Sequence, residues 1–319
     1  MFLLEKIGII GAGCYGTAIA QCFSRRAKEI LLISRSKTVA SAINELHMNP
    51  QAFPEITLAP NIICSDVFFR IQDCNVIFFA LPVAAVLAVC KQIKEYEIKA
   101  PLILCSKGFD VENCQLQSDL VEEILDNSYA ILSGPSFAHE IARWLSAGVN
   151  IASKNAELSR HISESLSSAT FKIEVVDDYI GLQVAGALKN VLAIGCGVFS
   201  GLKLGGSAIT KLIVDGLHEM ADFAVAMGGK KETFFELGGI GDTILTCNSR
   251  QSRNVLFGEH LASGGHPDNW TGALAEGVFT AKAIPLFMQK YNLSLKIFPE
   301  IYRMIYERRN LSETISKTI

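Results

Sequence analysis

Residues 6–16 read KIGIIGAGCYG, and this stretch decides the fold of the first half. Residues 6–10 form an apolar run of strand type. Gly11, Gly13 and Gly16 follow as G-x-G-x-x-G, and 17–25 carry a helical pattern. Each glycine has its own task in such a strand–turn–helix. Gly11 allows the tight turn, Gly13 lets the backbone approach a pyrophosphate, and Gly16 lets helix and strand pack closely. The helix start aims unpaired N–H groups at the phosphates. Cys14 sits in that loop, where a helix N-terminus favours a thiolate, although a small lining side chain is the plainer role. Dinucleotide binding is the expectation.

Working outward, 30–33 reads as a second strand. Further apolar runs at 76–81, 102–105, 130–132, 149–152 and 171–176 alternate with helical stretches. That rhythm predicts a Rossmann-like, doubly wound parallel sheet. The second strand runs into Ser34-Arg35-Ser36-Lys37, with no acid to take a ribose 2′-hydroxyl. Arg35 can pair with a 2′-phosphate, which makes NADP(H) the preferred cofactor and NAD(H) the alternative. A solvated basic turn is the plain competing reading.

The pattern changes near Asp178. Helical periodicity at 181–198, 208–227, 252–261, 279–291 and 299–308 predicts a second, all-α domain. The expected division is 1–178 for the dinucleotide-binding domain and 179–319 for a helical substrate and catalytic domain. The tail, 310–319, is polar and of a kind that frays.

Half the residues are hydrophobic and 19% are charged, the balance of a folded chain. The net charge of −3 gives no basic surplus for nucleic acid or an anionic membrane. The start at 1–13 lacks the basic opening of a secretory signal. The apolar stretch 184–206 contains Lys189 and Asn190, so it reads as a buried helix and not as a stable membrane insertion. Nine cysteines without a Cys-x-x-Cys pair suit reduced thiols in the cytoplasm. His218 and Asp222 stand four apart, but no third ligand is in view, and no metal is expected.

Six ordered segments carry a resemblance: GAGCYGTAIA at 11–20, SKGFD at 106–110, SGPSFAHE at 133–140, GALKNVLAIGCG at 186–197, GGIGDTILTCNSRQSRN at 238–254 and AEGVFTA at 275–281. Together they resemble the bacterial NAD(P)-dependent glycerol-3-phosphate dehydrogenases. The resemblance implies interconversion of dihydroxyacetone phosphate and sn-glycerol 3-phosphate, supplying phospholipid synthesis. It implies Lys189 as proton donor and acceptor, Lys107 as a lysine touching substrate and cofactor, and Asp242 as an acid beside the reacting lysine. It implies substrate contacts at Gly134, Ser136, Ser252, Arg253 and Asn254. It implies cofactor contacts at Cys14, Tyr15, Arg35, Lys107, Ala138, Arg253, Leu274 and Glu276. The expected partners are a small phosphorylated substrate and a second copy of the chain in a homodimer.

Elementary chemistry agrees with these roles. Ketone reduction needs a hydride at carbon and a proton at oxygen, and a positioned acid speeds the proton step by ~10²–10⁴-fold. Burial among apolar neighbours lowers a lysine pKa, and a second cation at Lys107 lowers it further. Asp242 acts against both and is expected to orient Lys189. Arg253 offers a planar fork for a phosphate, with Asn254 and the N-terminus of a helix near Ser252 beside it. Gly238, Gly239 and Gly241 are expected to bring backbone close to Asp242. The chain departs from the family at Ser207, at Val214-Asp215-Gly216, where a Thr-Arg-Gly is usual, and at 143–149 (RWLSAGV). Two other readings compete: a two-domain reductase of a different hydroxy acid, and a non-catalytic nicotinamide-sensing protein.

Overall fold

The computed structural model describes residues 4–307. The 310–319 tail and the last residue expected of the final helix lie outside them.

The chain divides into two compact units. The first comprises Met1–Ser106, Gln117–Leu132 and Ser136–Tyr179. The second comprises Lys107–Leu116, Ser133–Pro135 and Ile180–Ile319. A single cut at 178 would leave Lys107 and Gly134 with the first unit, but both pack with the second.

The first unit holds one sheet of eight strands: β1 (Leu4–Ile10), β2 (Ala27–Ile33), β3 (Ile62–Ser65), β4 (Val76–Phe79), β5 (Leu102–Leu104), β6 (Tyr129–Ser133), β7 (Ala147–Ala152) and β8 (Phe171–Val175). Their order is β3-β2-β1-β4-β5-β6-β7-β8. The pairs β1–β2, β2–β3, β1–β4, β4–β5, β5–β6 and β7–β8 are parallel. Strand order therefore reverses between β1 and β4, the place where doubly wound sheets bind dinucleotides. β3 was not expected. It is four residues long and ends in Cys64-Ser65, without the continuous apolar run that marks β4 and β5, and pairing with β2 decides its conformation.

Among the described residues this unit has the α-helices α1 (Cys14–Phe23), α2 (Lys37–Leu46), α3 (Val86–Glu95), α4 (Gln117–Ile124), α5 (Ala138–Ile141) and α6 (Ala156–Leu166). α1 starts three residues earlier than its pattern suggested, because Gly13 already serves as its N-cap. Ile7, Ile9, Ile30, Leu32 and Phe78 form the centre of the core, with Ile19 and Phe23 of α1 against them.

From Ile180 to residue 307 the described chain is helical, with α7 (Tyr179–Gly201), α8 (Gly206–Ala226), α9 (Asp242–Cys247), α10 (Arg253–Ala262), α11 (Glu276–Tyr291) and α12 (Ile297–Tyr306). α7 is long and apolar enough to cross a membrane by length and composition, yet its apolar window is wholly buried inside the protein. It is wrapped by its own neighbours. At its crossing with α10 a Cβ on Gly197 would stand 2.1 Å from the Val255 carbonyl oxygen. One on Gly258 would stand 2.1 Å from that of Ile194. Only glycine on both helices permits this approach.

Aromatic packing explains why Lys107–Leu116 joins the helical unit. Phe109 is buried, with its ring 5.7 Å from Phe223 of α8 and 4.6 Å from Phe287 of α11. Leu116 enters the same core. The segment closes on itself through an Asp110–Gln115 bridge, and Lys290 Nζ donates to the Cys114 carbonyl at 2.9 Å. Two hydrophobic anchors thereby fix the backbone that carries Lys107.

Candidate active site

In the first unit the three loop glycines are distinguishable by what surrounds them. Gly11 has φ +111°, and a Cβ there would lie 2.3 Å from the Ala80 carbonyl oxygen. A Cβ on Gly16 would lie 1.9 Å from the Gly11 carbonyl oxygen. At Gly13 a Cβ would meet nothing within 4 Å. Gly11 and Gly16 are thus required by the protein's own packing. Gly13 instead leaves open space beside the start of α1, whose first N–H groups lack helical partners, as a pyrophosphate cradle requires. The residues present fit a dinucleotide.

Around this turn, Cys14 is exposed and opens α1. Tyr15 Oη stands 3.4 Å from Ser136 Oγ, so these two expected contact residues lie side by side. Ala138 is the first residue of α5. Arg35 is exposed just beyond β2, while Ser36 caps α2 by accepting from the Val39 N–H at 3.3 Å. Lys37 is drawn toward Asp66, 3.8 Å away. Among the described residues nothing pairs with the Arg35 guanidinium. Trp144, in the departing 143–149 stretch, has φ +56° and lies under Arg25, whose Cζ is 4.2 Å from the ring centroid.

In the second unit three charged side chains share one carboxylate. Lys107 Nζ donates to Asp242 Oδ2 at 2.6 Å, and Lys189 Nζ donates to Asp242 Oδ1. Lys189 also donates to Thr246 Oγ1 at 2.8 Å, and Lys107 reaches the Gly134 carbonyl at 3.5 Å. Lys189 is 4% exposed and Asp242 2%. Asp242 is placed by the turn before it. Leu237–Gly241 forms a single π-helical turn that runs directly into α9. Gly238, Gly239 and Gly241, expected to bring backbone close to Asp242, lie in the helical turn that leads directly into it.

Two ammonium groups against one carboxylate leave one positive charge unneutralised in a dry setting. Burial lowers the Lys189 pKa to about 7; Asp242 opposes this, and Lys107 reinforces it. Burial also works against the Lys107 ammonium, but Asp242 outweighs it and holds that pKa above the usual lysine value. Burial alone would raise the Asp242 carboxyl, yet the two lysines hold it below its usual range. Glu276, at the start of α11, is pushed up by burial against the pull of Arg253, Lys107 and Lys189. The cluster therefore contains one amine poised to exchange a proton near neutral pH, one fixed cation and one fixed anion.

The residues expected at a phosphate are gathered at the start of α10. Ser252 is its N-cap and accepts from the Val255 N–H at 3.4 Å. Arg253 is the first helical residue and is exposed. Asn254 is more committed than its sequence suggested. Its amide donates to Asn190 Oδ1 at 3.0 Å, and its carbonyl accepts from the Gly277 N–H at 2.9 Å. It ties α7, α10 and α11 together and keeps one N–H to spare. Leu274 is exposed, two residues before Glu276. Asp215, the departure from a usual arginine, pairs with Lys211 one turn earlier on α8. Asp222 pairs with Lys231 at 2.9 Å.

Two participants were not singled out from sequence. Thr246 has a faint signal, since it follows Asp242 by four residues and so shares its helix face. Asn190 lies beside Lys189 but acts on Asn254, which only the crossing of α7 and α10 brings about.

A parallel sheet that reverses order at a glycine-rich turn, followed by a helical unit with a buried lysine–carboxylate cluster, defines a Rossmann-type dehydrogenase. The comparisons with known proteins make this specific. The N-terminal model of NAD-dependent glycerol-3-phosphate dehydrogenase matches residues 6–159, and the C-terminal model matches 178–316. A glycerol-3-phosphate dehydrogenase [NAD(P)+] of Zymomonas mobilis is 35% identical over 99% of this chain and 93% of its own. That of Caulobacter vibrioides is 37% identical over 92% and 90%. The crystal structure of the Coxiella burnetii glycerol-3-phosphate dehydrogenase superposes with a TM-score of 0.93 at 29% identity, covering 98% of each chain. The chain belongs to the NAD-dependent glycerol-3-phosphate dehydrogenase family.

Proposed function

We propose that this protein interconverts dihydroxyacetone phosphate and sn-glycerol 3-phosphate, with NADP(H) as the preferred cofactor and NAD(H) as the alternative. The observation that carries this reading is the buried Lys189 amine, held by Asp242 and Thr246 beside the fixed cation Lys107. The names of the relatives supply the substrate, and the fit of each residue to the chemistry supplies the roles.

The bound nicotinamide supplies or accepts the hydride. Lys189 Nζ gives its proton to the carbonyl oxygen as the alcohol forms, and the neutral amine takes a proton back in the reverse direction. A pKa near neutrality suits both directions. Lys107 stays an ammonium and stabilises negative charge developing on that oxygen. Asp242 and Thr246 keep the Lys189 amine in one position. Asp242 is thus a catalytic partner of the lysines and not itself the acid. Arg253 clasps the phosphate with the spare N–H of Asn254, the Ser252 hydroxyl and the first N–H groups of α10. Gly134 and Ser136 add substrate contacts. In the first unit Gly11, Gly13, Cys14, Tyr15, Gly16, Arg35 and Ala138 would hold the cofactor; Lys107, Arg253, Leu274 and Glu276 of the second are the further contacts that the resemblance implies.

Residues 1–178 are assigned to cofactor binding and 179–319 to substrate and chemistry, with Lys107–Leu116 serving the second. A cytoplasmic protein without membrane insertion is supported by the burial of α7 and by nine free cysteines. A homodimer belongs to the same proposal. Sedimentation that returned a monomer at all concentrations would remove that assignment.

The functional test is an assay of NADPH and NADH oxidation with dihydroxyacetone phosphate. Consumption of reduced nicotinamide, and of no other keto acid or keto phosphate at comparable rate, is expected. A flat trace with intact NADPH binding would leave a nicotinamide sensor as the better account.

A further inference from the structure

The pyrophosphate turn is braced by a side chain outside it. Asn49 follows the C-terminus of α2 and is fully buried. Its Nδ2 donates to the Ala12 carbonyl at 2.9 Å and to Thr17 Oγ1 at 2.8 Å. Its Oδ1 accepts from the Gln51 N–H at 3.1 Å and the Ala52 N–H at 3.2 Å. A backbone carbonyl can only accept and a backbone N–H can only donate, so the amide orientation is fixed by its partners. Every hydrogen-bonding valence of the side chain is used. Thr17, equally buried, adds its own donation to the Ala12 carbonyl at 3.4 Å.

The consequence lies in the next atom. Among the described residues no peptide is cis. In a trans peptide the C=O and the following N–H point in opposite directions. Clamping the Ala12 carbonyl toward Asn49 therefore aims the Gly13 N–H away from Asn49, and a Cβ on Gly13 itself would meet nothing within 4 Å. A glycine on one side of that peptide makes it easy to rotate, and the turn alone offers little to hold it.

We infer that Asn49 is the positioning residue of the cofactor site: it presets the Ala12–Gly13 peptide so that the Gly13 N–H is aimed at the pyrophosphate before the dinucleotide binds. The segment that carries it is itself anchored on α1, where Gln21 donates to the Thr57 carbonyl at 3.2 Å and accepts from the Ala59 N–H at 2.9 Å. Asn49 touches neither substrate nor reacting atoms, and its effect is confined to the binding of diphosphate. The inference rests on the dinucleotide site proposed above, but not on the reaction.

Calorimetric titration of the full chain with two probes tests it. One is 2′-phospho-ADP-ribose, which carries the pyrophosphate, and the other is adenosine 2′-phosphate, which lacks it. Binding of the first probe to the unaltered protein establishes the dinucleotide site independently of turnover. Asn49→Asp keeps the acceptor for Gln51 and Ala52 and loses donation to Ala12. Asn49→Ala loses both without adding charge, and Asn49→Ser replaces it if it does not fold. In each folded variant the affinity for 2′-phospho-ADP-ribose falls about tenfold or more, while that for adenosine 2′-phosphate changes less than about twofold. In steady state the nicotinamide KM rises, and kcat and the KM for dihydroxyacetone phosphate stay near their original values. A neutral variant that binds 2′-phospho-ADP-ribose as the unaltered protein does would overturn the inference. So would equal loss of both probes, which marks a generally loosened unit.

Discussion

The glycine turn of the first unit and the lysine–carboxylate cluster of the second handle charge in opposite ways. The turn offers backbone N–H groups, which carry partial charges and need no counter-ion. Arg35, just beyond β2, remains in solvent. The cluster buries Lys189 and Asp242 almost completely and encloses most of Lys107. A cradle of dipoles costs little in the free protein and can be built from six consecutive residues, 11–16. A cluster of full charges is costly to dehydrate, and it holds only while every member has its partner. The first kind of site is tolerant in stability and specific in binding. The second kind couples stability to chemistry.

Substitutions should separate the two behaviours. The largest effect is expected from Asp242→Ala, which leaves two buried ammonium groups facing each other. Turnover should vanish, and urea unfolding should show a loss of ~3–5 kcal/mol. Undiminished stability would mean that the cluster is far wetter than its exposure suggests. Lys189→Ala should lower kcat by ~10²–10⁴-fold. Folding and NADPH affinity should survive, because Lys107 still occupies Asp242. A variant turning over at the original rate would place the proton elsewhere.

The same lysine predicts a pH profile. Reduction uses the ammonium form, so its kcat should fall as pH rises through about 7. Oxidation uses the free amine, so its kcat should rise over the same range. Profiles that move together would assign the titration to another group. Arg253→Ala removes a charge-assisted fork and should raise the KM for dihydroxyacetone phosphate by roughly 10–100-fold with a smaller change in kcat. An unchanged KM would move the phosphate subsite off α10. The smallest effect belongs to the exposed cation of the first unit. Arg35→Asp should shift the NADPH-to-NADH preference by about tenfold, read as the ratio of kcat/KM values. A ratio that stays put would leave Arg35 a solvated turn residue.

Legibility in the sequence followed the same divide. The strand–turn–helix around Gly11, Gly13 and Gly16 is contiguous, so the tight turn at Gly11 and the close packing at Gly16 could be read from the sequence alone. The change from strand rhythm to helical rhythm near Asp178 marked where the sheet ends and the helices begin. Elements without a continuous apolar run were illegible. β3 is four residues long, and the π-helical turn before Asp242 is written in glycines that sequence patterns assign to loops. Side chains that act through another segment were illegible too. Asn49 lies 37 positions from the Ala12 carbonyl it clamps. Phe109 reads as one aromatic in a loop until Phe223 and Phe287 enclose it.

By itself the sequence determined that a glycine-rich turn at 11–16 follows a strand and that a helical half comes after the sheet, and its resemblance to a family put Lys107, Lys189, Asp242 and Arg253 forward as the residues to examine. The tertiary structure decided how they share charge. Lys107 and Asp242 are 135 positions apart, and Lys189 and Asp242 are 53 apart. Which lysine keeps its proton depends on the water each has lost, and that is set by packing and not by sequence spacing.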